Sequence, residues 1–516
     1  MAFFKMFGRK SRGKGEAAEI RFRAESLAAA VQGEVIERYP VDQAVVFVVD
    51  REGRGFYLVS EPELTVEEQR IYNLLMEYLY FSLKPVARVE DPMSYVEGFI
   101  WDAAEDLGVV DEVQRGFQKY RYFIIRDAFG YGPIQAPMMD PNIEEVSCTG
   151  YGRPIMVVHR RHADYDWLET NIVFQTEDQL KNFVQRMAQR VGKSLTTAMP
   201  FADAMSREGH RIAMTFGDEV TLPGSTFAIR KFPEEPLSMA HLLKFNTLTP
   251  LMAAYLWLIE EYRGFIIVLG PMASGKTTML NGLLTLINPD LKICTIEDTS
   301  ELRIPHKSWQ RFKSRHTYSI SESRFDVDLM DLVRLSLRYR PDYIVVGEVR
   351  GEEIRALFQA ASLGHGCSTT FHAEDPGAAL SRMRSPPMSV AEGNLMLISC
   401  FVLLNRVRMA DGRVVRRVLE ITEVEPKDGM IGLRRIFTWD PRADAFKPSG
   451  AEEAARQSVR LKTVERLTGW SPEEIAGEME GRMMFLQGVV DDNKLTYAEF
   501  SGEVRRFYIS QRRRSG

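Results

Sequence analysis

The sequence predicts an α/β protein organised around a parallel, doubly wound sheet, and three observations lead to that expectation. Gly264-Phe-Ile-Ile-Val-Leu269 is a wholly apolar, β-branched run of the length expected for a strand buried on both faces. It runs straight into Gly270-Pro-Met-Ala-Ser-Gly275-Lys276-Thr277 and then a helical stretch, so strand, glycine-rich loop and helix follow one another. From there to about residue 400, short apolar runs alternate with helix-period segments, as in a doubly wound sheet.

The flanking elements divide the chain into four parts. Residues 1–115 read as a helical N-terminal module. A β-branched strand at residues 45–49 precedes a capping box, Thr65-Val-Glu-Glu68, whose helix Pro85 ends. Further helices follow at about 94–107 and 111–128. Residues 116–235 read as an α/β domain: a turn at Gly130, Gly132 and Pro133, strands at 155–158, 172–174, 212–216 and 226–230, and a helix at 179–191. Pro233-Glu-Glu-Pro236 reads as a linker. Residues 236–440 hold the loop and its sheet, with a helix at 252–262 and a hairpin turn at Ala410-Asp-Gly412. Residues 441–516 read as a helical C-terminal extension ending in Arg505, Arg506, Arg512, Arg513 and Arg514.

Composition narrows the class. The chain has 516 residues, 45% hydrophobic and 27% charged, enough for several substantial cores. Its net charge of -5 offers no global basic field for nucleic acid, which argues against a helicase-like motor. The four cysteines, Cys148, Cys294, Cys367 and Cys400, form no Cys-x-x-Cys pair, so a cysteine zinc site is not expected and a reducing cytoplasm is. Apolar runs such as residues 395–404 fall well short of the ~20 residues that span a bilayer, and no secretory signal is legible. The basic start, with Phe3, Phe4, Met6 and Phe7, reads as a solvated tail or as a weak anchor for an anionic membrane surface.

Four elements carry chemistry. In the first, Gly270, Pro271, Met272, Ala273, Ser274 and Gly275 let backbone N–H groups curl around a phosphate. Lys276 neutralises phosphate charge, Thr277 offers a hydroxyl to Mg²⁺, and Thr278 opens the helix. ATP with Mg²⁺ is the expected ligand. In the second, Tyr343-Ile-Val-Val-Gly-Glu348 puts a carboxylate at the C-terminal end of a strand, where open α/β sheets bind ligands. Gly347 stands where such strands usually close with Asp, so Glu348 is expected to serve Mg²⁺ or a polarised water. The third, Cys294-Thr-Ile-Glu297-Asp298 with Glu301 nearby, is another strand ending in carboxylates, for water or metal. The fourth, Gly364-His365-Gly366 and Thr370-Phe-His372, places histidines that could sense the γ-phosphate by hydrogen bonds.

Taken jointly, these stretches resemble the ATPases of type II and type IV secretion systems, most of all the archaeal branch that powers archaella and archaeal type IV pili. The resemblance also rests on Gly130-Tyr-Gly-Pro-Ile134, Asp140-Pro-Asn-Ile-Glu144, Arg207-Glu-Gly-His-Arg211, Phe227-Ala-Ile-Arg-Lys-Phe232 and Arg340-Pro-Asp-Tyr-Ile-Val-Val-Gly-Glu-Val-Arg350. It spans roughly residues 125–385 in family order. It implies a RecA-like motor, with the third and fourth elements as Asp and His boxes. It also implies that Arg211 and Arg230 reach toward ATP to stabilise the transferring phosphoryl group. By the same resemblance the protein is a homo-hexameric ATP-hydrolysing motor, cytoplasmic and peripheral at the inner face of the membrane. It would push on a polytopic platform protein to assemble a pilus-like filament, without nucleic acid. A conjugation-type DNA or protein transfer ATPase is the alternative. Many bacterial assembly ATPases carry a four-cysteine zinc motif that is missing here, which favours the archaeal branch.

Overall fold

The computed structural model describes residues 33–82, 92–232, 235–315, 326–427 and 430–515. The basic start of the chain, Pro85, and Pro233-Glu234 of the expected linker lie outside these, as do the side chains of Arg512, Arg513 and Arg514. The chain divides into two compact units, Met1–Phe232 and Pro233–Gly516.

The first unit is built on one nine-stranded sheet in the order β1-β2-β3-β6-β5-β4-β9-β8-β7. Its strands are β1 (Glu34–Val41), β2 (Ala44–Arg51), β3 (Arg54–Ser60), β4 (Ile143–Cys148), β5 (Pro154–His159), β6 (Leu168–Val173), β7 (Phe201–Met205), β8 (Arg211–Thr215) and β9 (Thr226–Arg230). All neighbours are antiparallel except β3 and β6. The residues assigned from sequence to a separate helical module therefore contribute three strands to the sheet of the next region. The capping box forms: the Glu68 N–H donates to Thr65 Oγ1 and the Thr65 N–H to Glu68 Oε2. The helix it opens, Val66–Ser82, packs with Pro92–Leu107 and Val110–Ile124 around a core of their own, including Leu75, Ile100 and Tyr120.

The second unit holds the expected parallel sheet. Its strands are β10 (Phe265–Leu269), β11 (Ile293–Glu297), β12 (Trp309–Lys313), β13 (Tyr343–Val349), β14 (Gly366–Phe371), β15 (Cys400–Arg408), β16 (Val414–Lys427), β17 (Met430–Asp440) and β18 (Ala445–Lys447). They run in the order β12-β11-β13-β14-β10-β15-β16-β17-β18. The first six are parallel, and β15 to β18 continue as an antiparallel meander. The hairpin turn falls between β15 and β16, with Gly412 at φ +88°. All four cysteines are buried free thiols.

The helices after residue 450 are part of this unit's core. The helix Pro250–Glu261 buries Leu251 through Glu260 on every face, so it needs cover on the side away from the sheet. Pro472–Asp491 and Tyr497–Ser515 supply it: Trp257, fully buried, donates from Nε1 to Tyr508 Oη at 2.7 Å and packs against Phe485 and Phe507. No helix among the described residues is long and apolar enough to cross a membrane.

Candidate functional site

Strand β10 is buried along its whole length and delivers the chain into the glycine-rich loop. Gly270 takes φ +153°, and a Cβ there would meet the Leu404 carbonyl and lie 2.6 Å from Ser274 Oγ. Ala273 and Gly275 adopt left-handed backbone, φ +59° and +96°, and this alternation forms the kind of backbone concavity that receives anions. The helix Lys276–Leu284 follows, and its N-cap, Gly275, provides no side-chain cap. The first N–H groups of that helix are thereby left for a ligand. Within the loop, the Pro271 carbonyl accepts from Ser274 Oγ at 2.9 Å and from Lys276 Nζ at 2.8 Å. Lys276 is buried, Thr277 and Thr278 are half-buried on the first turn, and Met272 is exposed at the loop's crest.

The neighbouring strand ends bring a carboxylate and an imidazole to the same place. Lys276 Nζ lies 3.3 Å from His372 Nδ1, and His372 Nε2 lies 3.0 Å from Glu348 Oε1. An ammonium can only donate, so Nδ1 accepts and the imidazole proton resides on Nε2, pointing at Glu348. Burial and the adjacent Lys276 charge keep the His372 ring neutral by pushing its pKa down. Glu348 is also gripped by Arg350, Nε to Oε1 at 2.9 Å and Nη2 to Oε2 at 2.7 Å. Burial opposes ionisation of Glu348, but Arg350, His372 and Lys276 outweigh it and hold the carboxyl below its ordinary range.

Glu297 has the opposite environment. It ends β11 almost fully buried, and burial pushes its pKa up to about 7 against the lowering effect of its hydrogen bonds. Oε1 accepts the N–H groups of Glu301 at 2.7 Å and Leu302 at 2.8 Å, so the carboxyl shapes the loop that follows it. This explains Gly347: a Cβ there would lie 3.0 Å from Glu297 Cγ, in space the glutamate fills. Asp298, next in line, accepts from Ser314 Oγ at 2.6 Å.

Three expected site residues do not join this cluster within the second unit. His365 precedes β14 while His372 follows it, so the strand holds the two histidines roughly 20 Å apart. The His365 Nδ1 is 2.8 Å from the Pro341 carbonyl, at the end of the sheet away from the loop, and within this unit it does not join the phosphate-side cluster. Arg211 and Arg230 belong to the first unit, where they are directly opposed across β8 and β9. Arg211 forks onto Asp203, with Nη2 to Oδ2 at 2.6 Å, and the exposed Arg230 lies over Phe232.

A family model for type II/IV secretion system proteins matches residues 155–460. The chain belongs to that family. This family member is 30% identical over 500 residues to an uncharacterised protein of Methanocaldococcus jannaschii, covering 91% of this chain and 88% of the relative. A putative conjugal transfer protein of Mycobacterium tuberculosis is 30% identical over 52% of the chain and 78% of its own length. Among solved structures, the ATPase DotB of Legionella pneumophila is 20% identical, with a TM-score of 0.40 over 67% of this chain and 84% of its own.

Three arginines around the glycine-rich loop and Glu348 were not assigned from sequence. Arg350, noted only within its motif, clamps Glu348. Arg382 donates to the His372 carbonyl at 3.1 Å and lies over Phe371. Arg416, on β16, donates from Nε to the Ala273 carbonyl at 3.3 Å, and its Cδ packs beside Gly275. Their spacing to the loop is set by strand order, which no local pattern reveals.

Proposed function

We propose that this protein is an ATP-hydrolysing motor with a RecA-like core. It works as a homo-hexamer, cytoplasmic and peripheral at the inner face of the membrane, and powers assembly of a pilus-like filament through a polytopic platform protein. The observation that carries the hydrolytic reading is the hydrogen-bonded line Lys276–His372–Glu348 at the mouth of an uncapped phosphate loop. Family membership supports the secretion setting, and the near full-length relative in Methanocaldococcus jannaschii supports the archaeal branch.

The residues divide the chemistry by environment. Lys276 exchanges the Pro271 carbonyl for phosphate oxygens when ATP enters. Two carboxyls whose pKa values are pushed apart mark the acid–base assignment. Glu297, raised to about 7, takes the proton of the attacking water. Glu348, held ionised, stays an anion throughout. The half-buried Thr277 hydroxyl and the Glu348 carboxylate offer oxygen donors of the hard kind that suits Mg²⁺. When bound, Mg²⁺ offsets the charge of the phosphates. His372 links the phosphate-side cation to Glu348 and so registers whether Lys276 is occupied. Arg211 and Arg230 complete the site from the first unit of the same or an adjacent subunit.

The test has two arms. Purified protein should hydrolyse ATP and form a six-membered ring by native mass spectrometry, and Lys276→Ala should abolish turnover. Mixing Arg230→Ala with Lys276→Ala protein should restore partial activity if the arginines act between subunits. Full turnover by Lys276→Ala would overturn the site assignment. A motor for DNA or protein transfer is the second reading, favoured by the relatives named as conjugal transfer proteins. Recovery of a conjugation-type substrate, rather than a filament platform, in cross-linked complexes would select it.

A further inference from the structure

The first unit contains a cluster that the motor chemistry does not use. Glu37 on β1, His159 at the end of β5 and His162 three residues later each present a ligand atom, all within 4.8 Å of one another. From these residues we infer a site for a first-row divalent transition metal ion, Zn²⁺ being the type, that clamps the β1–β3 ribbon to the rest of the sheet.

The donor set fits that class. Two imidazoles and one carboxylate suit Zn²⁺ and its neighbours, whereas Mg²⁺ and Ca²⁺ call for oxygen ligands. The surrounding groups orient the ligands in the manner of a metal site's outer layer. Asp140, fully buried, accepts from Tyr39 Oη at 2.6 Å and from Tyr57 Oη at 3.0 Å. Because Tyr39 gives its proton to Asp140, its oxygen accepts at 2.9 Å from His159 Nε2. That fixes the tautomer and leaves the Nδ1 lone pair as the ligand, met now by the Arg161 N–H at 3.2 Å. Glu37 is held in the same way: Oε1 receives Arg161 Nη1 at 2.6 Å, and Oε2 faces His162 Nε2 at 2.8 Å. The His159 and His162 rings lie side by side, centroids 4.7 Å apart. Zn–N bonds of roughly 2.0–2.1 Å need the ligand atoms somewhat closer, which rotation of the partly exposed Glu37 and His162 side chains supplies.

The position gives the ion a purpose. The ribbon joins the remaining strands through a short parallel ladder, Phe56 opposite Glu169 and Tyr57 opposite Thr170. An ion held by β1 on one side and the 159–162 segment on the other adds a tie to that ladder and to the side-chain contacts of Tyr39 and Tyr57. Three protein ligands leave a fourth position for water.

The experiment uses the full chain, stripped with chelator and titrated with Zn²⁺ against a chromophoric competitor, and separately loaded with Co²⁺. The wild type should hold a single tight equivalent of Zn²⁺, gain thermal stability on loading, and give the intense visible Co²⁺ spectrum of four-coordinate nitrogen–oxygen ligation. Glu37→Gln and His162→Gln, both at partly exposed positions, should lose the tight equivalent, the stability gain and the spectrum. Tyr39→Phe should retain the site with roughly 10-fold weaker affinity, the effect of losing an outer-layer hydrogen bond. Lys276→Ala should bind Zn²⁺ as the wild type does. Failure of the wild type to hold Zn²⁺, or equal uptake by the wild type, Glu37→Gln and His162→Gln, would overturn the inference.

Discussion

Strand β14 has a histidine at either end, and the two meet different surroundings. His372 stands between Lys276 and Glu348, with Arg350 and Arg382 close by. His365 rests on the Pro341 carbonyl. The same contrast holds across the sheet. At the C-terminal strand ends, the loop after β10 leaves helix N–H groups uncapped, and the ends of β11 and β13 add Glu297 and Glu348. At the N-terminal ends the polar groups pair among themselves. Asp342 accepts from Arg263 Nη2 at 2.8 Å and the Lys292 N–H at 2.9 Å, and Tyr343 Oη donates to the Glu260 carbonyl. One end engages these groups within the protein; at the other, the loop leaves its helix without a side-chain cap. In an open parallel sheet, that difference separates a binding edge from a structural one.

Substitutions at the two ends should therefore differ steeply. Lys276→Ala has the largest expected effect, loss of measurable ATP turnover together with strongly weakened nucleotide binding, checked by steady-state hydrolysis and equilibrium binding. Glu297→Gln comes next: single-turnover hydrolysis should fall roughly 10²–10⁴-fold, the worth of a general base, with ATP affinity kept. His372→Ala breaks a hydrogen bond between charged neighbours, worth roughly 1.5–3 kcal/mol. The same single-turnover assay should show a loss of about one to two orders of magnitude. His365→Ala should leave turnover unchanged and alter only thermal stability, by about 1 kcal/mol for one hydrogen bond. A turnover loss at His365 equal to that at His372 would break the distinction between the two ends.

Acidity sharpens the same contrast. The folded protein holds a proton on Glu297 that the unfolded chain releases, because burial raises this pKa to about 7. The stability contributed by this group is full below the ordinary carboxylate range and is lost as pH rises through about 7. Activity should rise over the same interval, as the base form appears. Chemical denaturation across that range should show a flatter pH dependence in Glu297→Gln.

Much of this was legible in the chain, and what was not has physical causes. The run ending at Leu269 shows two-sided burial directly, and the loop motif dictates its own backbone, so β10 and the phosphate loop read from local pattern alone. Strand β1 did not, because its exposed edge position leaves little alternation to detect. The C-terminal helices read as an appendage because the face they cover, around Trp257, lies some 250 residues earlier (Trp257 to Tyr508 spans 251). The partners of Glu348 were only half visible: His372 belongs to a motif, whereas Arg350 declares its role only once the side chain folds back two residues. Glu37 and His162, 125 residues apart, carry no shared pattern at all.

We propose that the C-terminal strand ends hydrolyse ATP with Glu297 as the base and Glu348 as the fixed anion. The most direct test is the pH dependence of single-turnover ATP hydrolysis, measured in parallel on wild type, Glu297→Gln and Glu348→Gln. The wild-type rate should rise with an inflection at about 7. That inflection should vanish in Glu297→Gln and persist, at a lower plateau, in Glu348→Gln. An inflection that survives in Glu297→Gln and disappears in Glu348→Gln would contradict it.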